Sequence, residues 1–246
     1  MTEHHLIHGD CLAAIRKLEG AQCIFADPPD NLSLDYGEYL DALPHDRYVA
    51  WLNDCLWVFI NKAPIVWVSY NSRWSFAVGT LVYDLLAMNR WLEAKNCVQT
   101  FTFGQHNHHD LGNNHRPLLR LKRDDALLYP DAVRVPSWRQ ENGDKRADPR
   151  GRVPGDVFDF PRVTGNSSQR RSFCPTQLHE GLVERCVKLS TLKGERVIDP
   201  FAGTGTTLRV CNRIGRPCTI IEMDRGYCEK IAEEHNLEIE EIPCAT

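Results

Sequence analysis

Arg196-Val-Ile-Asp-Pro-Phe-Ala-Gly-Thr-Gly-Thr-Thr207 is the stretch that decides the fold. Val197 and Ile198 read as the end of a buried strand, and Asp199-Pro200 stops it. Phe201, Ala202, Gly203, Thr204 and Gly205 make a tight turn. Thr206-Thr207 open a helix that runs to Arg213. Strand, glycine turn and helix start together let backbone approach a ligand closely, because two positions lack a Cβ and the helix offers free N–H groups. The next strand, Pro217-Cys-Thr-Ile-Ile-Glu222, ends in an acid about twenty residues on, the spacing at which a carboxylate catches ribose hydroxyls. Leu208 stands where a third glycine of G-x-G-x-x-G would be, and no Lys follows the turn, so a triphosphate-cradling loop is excluded. The C-terminal half is expected to hold a nucleoside cofactor.

The whole string Asp-Pro-Phe-Ala-Gly-Thr-Gly-Thr-Thr resembles the S-adenosylmethionine motif of amino-directed DNA methyltransferases, which methylate adenine N6 or cytosine N4. Asp27-Pro28-Pro29-Asp30 is similar to the catalytic [DNS]-P-P-[YFW] motif of the same family. Its place before the cofactor motif matches the permuted order of the β class. The resemblance implies an α/β fold with a mostly parallel seven-stranded sheet, helices on both faces, and S-adenosyl-L-methionine as cofactor. Three further stretches carry it. Asp10-Cys11-Leu12 resembles the family's opening, placing Asp10 beside the cofactor's adenine, although Asp10 also serves as a helix cap. Cys174-Pro-Thr-Gln177 is similar to H-P-T-Q-K-P, which puts Gln177 near the methionine end, with Cys174 in place of His and Leu178-His179 in place of Lys-Pro. Asp156-Val-Phe-Asp-Phe160 resembles the D-V-W stretch before the cofactor half.

The apolar run Gln22 to Ala26 delivers Asp27 at its C-terminal end, the edge where open α/β sheets bind ligands. An exocyclic amine is a poor nucleophile while its lone pair is conjugated into the ring. Asp27's carboxylate and the Pro28 carbonyl could accept its two hydrogens, with no covalent intermediate. The fourth motif position departs from the family: Asp30 cannot stack on an extruded base. Tyr36 and Tyr39 are the candidates to replace that ring.

At 246 residues the chain suits one α/β domain over 1–246, with a target-recognition insertion from Gly104 to Ser172. Its net charge of −4 is unevenly spread. That insertion holds 13 Lys+Arg against 9 Asp+Glu, so the remainder is 16 against 24. A basic segment on an acidic body fits a local phosphate-contacting surface. Arg116, Arg134, Trp138, Arg139, Lys145, Arg146, Arg150, Arg152, Arg170 and Arg171 are the candidate contacts to double-stranded DNA.

Gly104-Gln-His-Asn-His-His-Asp110 invites a metal reading, but no Cys lies nearby and a ββα nuclease spreads its ligands apart, so no metal is expected. The ten cysteines form no C-x-x-C pair, and reduced thiols in a cytoplasmic bacterial or phage-encoded protein fit them. No apolar run reaches membrane-span length. The expected activity is methyl transfer to adenine N6 of a flipped-out base. Cytosine N4, an RNA or protein amine, and a silent DNA-binding relative are the alternatives. The resemblance also brings a homodimer and a cognate restriction endonuclease within expectation as partners.

Overall fold

The computed structural model describes residues 3–36, 39–102 and 107–242, without the side chains of Tyr39 and Leu40. Gly104 to His106, at the start of the expected insertion, lie outside the described residues, as does the ring of Tyr39.

The N-terminal half runs β1 (His4–His8), α1 (Cys11–Lys17), β2 (Cys23–Ala26), β3 (Asp35–Tyr36), β4 (Tyr39–Leu40), α2 (His45–Lys62), β5 (Ile65–Ser69), α3 (Ser75–Met88) and β6 (Leu92–Thr100). There follow β7 (His115–Arg123), α4 (Trp138–Glu141), β8 (Val157–Asp159) and α5 (Glu180–Ser190). The last elements are β9 (Val197–Asp199), α6 (Thr206–Ile214), β10 (Cys218–Glu222), α7 (Arg225–His235) and β11 (Ile239–Glu241).

One sheet joins nine of these strands in the order β11-β1-β10-β9-β2-β5-β7-β6-β8, while β3 and β4 form a separate hairpin. Only β7 runs against its sheet neighbours, pairing antiparallel with β5 and β6. The expected count was seven. The three-residue strands β11 and β8 extend that seven-strand sheet at its two edges. A three-residue segment leaves no period-2 signal to read.

Alternation along the strands divides the core. Ile7, Ile24, Val66, Val68, Leu119 and Ile198 face α1, α2 and α3, which bury Ile15, Leu56, Phe59 and Leu85 against them. Leu6, Phe25, Ile65, Trp67, Val197 and Ile220 face the other way, onto Leu182, Val187, Leu208 and Ile231 of α5, α6 and α7. The central strands are apolar on both sides because both sides are covered. Nine cysteines are free and buried among the described residues. No helix there is long and apolar enough to cross a membrane.

β7 falls inside the expected insertion yet runs through the sheet, tying that segment to the body. Beyond it the chain packs along α5, where the Tyr129 N–H donates to the Leu189 carbonyl at 2.8 Å. It then folds back on itself through a Val135–Arg152 bridge.

Candidate active site

β9 and β2 lie side by side and parallel, pairing Ile198 with Ile24. From β9 the chain crosses to β10 on one side, and from β2 it crosses to β5 on the other. Their C-terminal ends therefore bound a crevice where the strand order reverses, the position at which such sheets bind ligands. A cleft of about 530 Å³ opens there, within the ~300–1,000 Å³ usual for small-molecule sites. The glycine turn and Asp27-Pro28-Pro29-Asp30, some 170 residues apart in sequence, share its wall.

The cofactor side is built from the turn after β9. Gly203 and Gly205 hold left-handed conformations, φ 53° and 75°, that suit glycine. A Cβ on Gly203 would have nothing nearer than 3.9 Å, so its freedom serves an open approach from the cleft. The Ala202 N–H donates to the Ile221 carbonyl at 2.8 Å, stitching the turn to β10. Asp199 accepts from the Phe201 N–H at 2.9 Å, and burial lifts its carboxyl to a pKa of about 7. Glu222 takes hydrogen bonds from the N–H groups of Gly203 at 2.7 Å, and of Met223 and Asp224 at 2.9 Å. Burial nonetheless raises its pKa to about 7 against those donors. Its Oε1 takes the Met223 and Asp224 donors, so Oε2, with the Gly203 donor alone, keeps acceptor capacity for a hydroxyl.

Pro200, Phe201, Thr204, Thr206 and Thr207 also line the cleft, and Phe201 stands edge-on to Trp51, itself a cleft residue, at 5.7 Å. Asp10 caps α1 through the Ala13 N–H at 2.8 Å and borders the same space. Gln177 reaches the wall too, but both ends of its amide tie its own loop. Its Oε1 accepts from the Arg171 N–H at 2.8 Å, and its Nε2 donates to the Gln169 carbonyl at 2.6 Å.

Asp27 leaves the end of β2 facing the cleft, a quarter exposed. Arg116, from β7, donates through Nη2 to its Oδ1 at 2.8 Å. The same guanidinium grips Asp30 at 2.7 and 3.0 Å and donates through Nε to the Ser69 hydroxyl at 2.7 Å. Burial pushes the Asp27 pKa up, the Arg116 charge opposes that, and Asp30 adds to it. Burial works against Arg116's own charge, but the two carboxylates outweigh it and raise its pKa.

The neighbouring carbonyls are divided between structure and cleft. Pro29's accepts from the Tyr48 hydroxyl at 2.8 Å, and Asp30's from Trp74 Nε1 at 2.7 Å. Pro28's accepts nothing among the described residues. Prolines at 28 and 29 remove two N–H donors, so this stretch meets the cleft as acceptors.

Tyr36 lines the cleft with its hydroxyl 3.2 Å from Thr176 Oγ1. Arg116 lies inside the cleft rather than on an outer surface, a placement the sequence could not reveal because its partners are 86 and 89 residues away. Asn71, Gln99 and His115 line the cleft, and Ser69 stands buried behind Arg116; all four escaped the sequence reading for the same reason, with no local motif to mark them. Arg134, Trp138, Arg139, Lys145, Arg146, Arg150 and Arg152 lie away from its wall. Arg134, Arg146 and Arg150 pair with Asp131, Asp144 and Asp148, whereas Trp138 is 74% exposed. Arg170 donates to the Pro175 carbonyl at 3.4 Å and Arg171 pairs with Glu234 at 2.6 Å. Among the described residues no group of His, Cys, Asp and Glu could hold a metal ion.

A crevice at a switch point, with a glycine turn and a buried acid on one wall and an acceptor cluster on the other, has the form of a nucleoside-cofactor group-transfer site. The chain belongs to the amino-directed DNA methyltransferases: residues 21–234 match the family model for N6/N4 DNA methylases. It is 28% identical to the DNA adenine methyltransferase YhdJ of Escherichia coli, over 90% of this chain and 79% of that one. It is likewise 28% identical to the type II methyltransferase M.HpaI of Haemophilus parainfluenzae, over 94% of this chain and 74% of the relative. The cytosine-N4-specific PvuII DNA methyltransferase shares its fold, with a TM-score of 0.74 at 14% identity over 96% of this chain and 87% of that one. So does the M1.HpyAVI–SAM complex, at 0.65 and 17% over 95% and 100%.

S-adenosylmethionine is the cofactor and DNA the substrate. The residues present fit that cofactor: a turn left open at Gly203, and a buried acid with one carboxylate oxygen free to accept from a hydroxyl.

Proposed function

We infer that this enzyme methylates N6 of an adenine extruded from duplex DNA. What carries the reading is the acceptor pair formed by the Asp27 carboxylate and the unpartnered Pro28 carbonyl, beside the glycine turn in one cleft. The Asp-Pro-Pro start and the likeness to a DNA adenine methyltransferase favour adenine over cytosine N4. An amine inside a stacked pair is out of reach of such a cleft, so the base must leave the helix.

The bound cofactor supplies an electrophilic methyl group on a sulfonium. Asp27 and Pro28 take the amine's two hydrogens and turn its lone pair toward that methyl, so catalysis is by positioning and electrostatics. The amine would gain a positive charge on accepting that methyl group, the sulfonium's bonding pair remaining with the departing thioether. One N–H proton then passes to the Asp27 carboxylate and on to solvent. Asp10, Asp199 to Thr207 and Glu222 hold the cofactor, and Gln177 shapes the wall beside it by tying its own loop. Tyr36 borders the base, and the basic segment from Arg134 to Arg152, with Arg170 and Arg171, meets the DNA backbone as part of a recognition insertion over residues 104–172.

The test is nucleoside mass spectrometry of DNA treated with the protein and S-adenosylmethionine. N6-methyladenine is the expected product. N4-methylcytosine would keep the mechanism and move the target. Methyl label in RNA or protein, with none in DNA, would overturn the reading.

A further inference from the structure

Asp30 stands where the family pattern carries a ring, and the structure shows what it does instead. It is buried at 5% exposure, accepts the Asn71 N–H at 3.0 Å, and forms a two-pronged pair with Arg116. Every nitrogen of the Arg116 guanidinium is engaged: Nε on Ser69, Nη1 on Asp30, Nη2 on Asp30 and Asp27. Guanidinium hydrogen bonds lie in the plane of the group, so anchors from β5 and from the loop after β2 fix both its position and its tilt. The fourth contact, to Asp27 Oδ1, is then made from a rigid fork rather than a mobile side chain.

We propose that Arg116 is a positioning residue for methyl transfer: anchored by Asp30 and Ser69, it holds the Asp27 carboxylate ionised and oriented to accept the amine's hydrogen. Asp30 is its anchor and does not touch the base. This rests on the role given to Asp27 above.

Other groups facing Asp27 are acidic or neutral. They are Asp30 on its own loop, Asp199 at the end of β9, Tyr36 from the β3–β4 hairpin, Cys174 from the segment before α5, and the Ser69 hydroxyl from β5. Arg116 is therefore the cation that offsets the burial of this carboxylate. Without it, the ionised form is lost at higher pH and the carboxylate is free to rotate.

The experiment compares wild type, Arg116→Gln, Arg116→Lys and Asp30→Asn for kcat on DNA against pH, with cofactor Kd and melting temperature in parallel. Arg116→Gln should lower kcat about a hundredfold through misplacement of the acceptor, and move the acid limb of the profile up by about one pH unit or more. Arg116→Lys retains the charge but not the fork, so its limb should stay near that of wild type while kcat falls about tenfold. Asp30→Asn should lower kcat with cofactor Kd kept within about threefold, since the cofactor wall is untouched. A folded Arg116→Gln with wild-type kcat and an unmoved limb would overturn the proposal. So would a loss in every variant matched by an equal loss of cofactor affinity. Should Arg116→Gln fail to fold, the two milder variants decide on the same criteria. Wild type that methylates no base in DNA would instead overturn the reading of Asp27 on which this one stands.

Discussion

Asp27 and Glu222 are both largely buried carboxylates facing the cleft, yet their surroundings give them different work. Asp27 has a cation at 2.8 Å, whereas Glu222 has only backbone N–H groups to offset its burial. Asp27→Ala should cut turnover by about a hundredfold or more, since an acceptor for the reacting proton is lost. Asp30 still holds Arg116 in that variant, so the fold and the cofactor wall survive, and cofactor Kd by calorimetry should stay within about threefold. Retained turnover would remove Asp27 from the chemistry. Glu222 carries a pH dependence instead. Its folded pKa of about 7 exceeds the ordinary 4.5, so between those values the native protein binds more protons than the unfolded chain. Its contribution to stability therefore falls as pH rises through that window and levels off above it. Glu222→Gln should show a shallower decline of Tm between about pH 5 and pH 7 than wild type. Asp199 acts in the same direction, and His4, His179 and His235, lowered by burial, act in the opposite one. All four are present in both proteins, so the difference between the two curves belongs to Glu222. Identical slopes would show that it stays ionised.

Two elements on one face of the sheet hold the acceptor loop in place. Tyr48 of α2 donates to Pro29, and Trp74, just before α3, donates to Asp30, with the two rings 4.4 Å apart. Tyr48→Phe should cost about 1 kcal/mol by leaving a buried carbonyl unpaired. It should lower kcat more than cofactor affinity, because the loop it releases is the one that meets the base; equal effects on both would place its influence elsewhere. The helix after the glycine turn and the strands that end at Ala26, Asp199 and Glu222 were legible in the sequence to within a residue, since apolar runs and the stops at Asp27 and Asp199-Pro200 marked them, whereas the four-residue helix α4 was not. The hairpin of β3 and β4 and the edge strands β8 and β11 were not, because two or three residues carry no period. The site was legible on its two motif-bearing walls. Arg116 was visible only as a basic residue on a strand, since nothing local distinguishes a cation bound for a carboxylate 89 residues away from one bound for phosphate.

Across the whole molecule, the basic segment from Arg134 to Arg152 lies apart from the cleft. Arg134, Arg146 and Arg150 are paired with nearby acids, whereas Arg139 and Lys145 form no ion pair among the described residues. Those two, like the exposed Arg152, are cations of that segment left to contact phosphate, and each phosphate contact adds about 0.9 to the salt dependence of DNA binding. Replacing both with Ala should lower that slope by about one to two and weaken binding alike on all sequences, leaving kcat at saturating DNA unchanged. An unchanged slope would take this face out of the DNA footprint. The sheet order has a further consequence. β1, made first, lies between β10 and β11, made last, with Leu6 beside both Ile220 and Ile239. During synthesis β1 lacks both of these partners until β10 and β11 have left the ribosome, so the sheet that frames the cleft closes late. The same adjacency makes the order of the motifs arbitrary to the cleft. Bridging Glu3 to Ile242 with a linker long enough for a five-residue strand, about 17 Å, and opening the backbone between β6 and β7 would read the glycine turn before Asp27 and fold to the same walls.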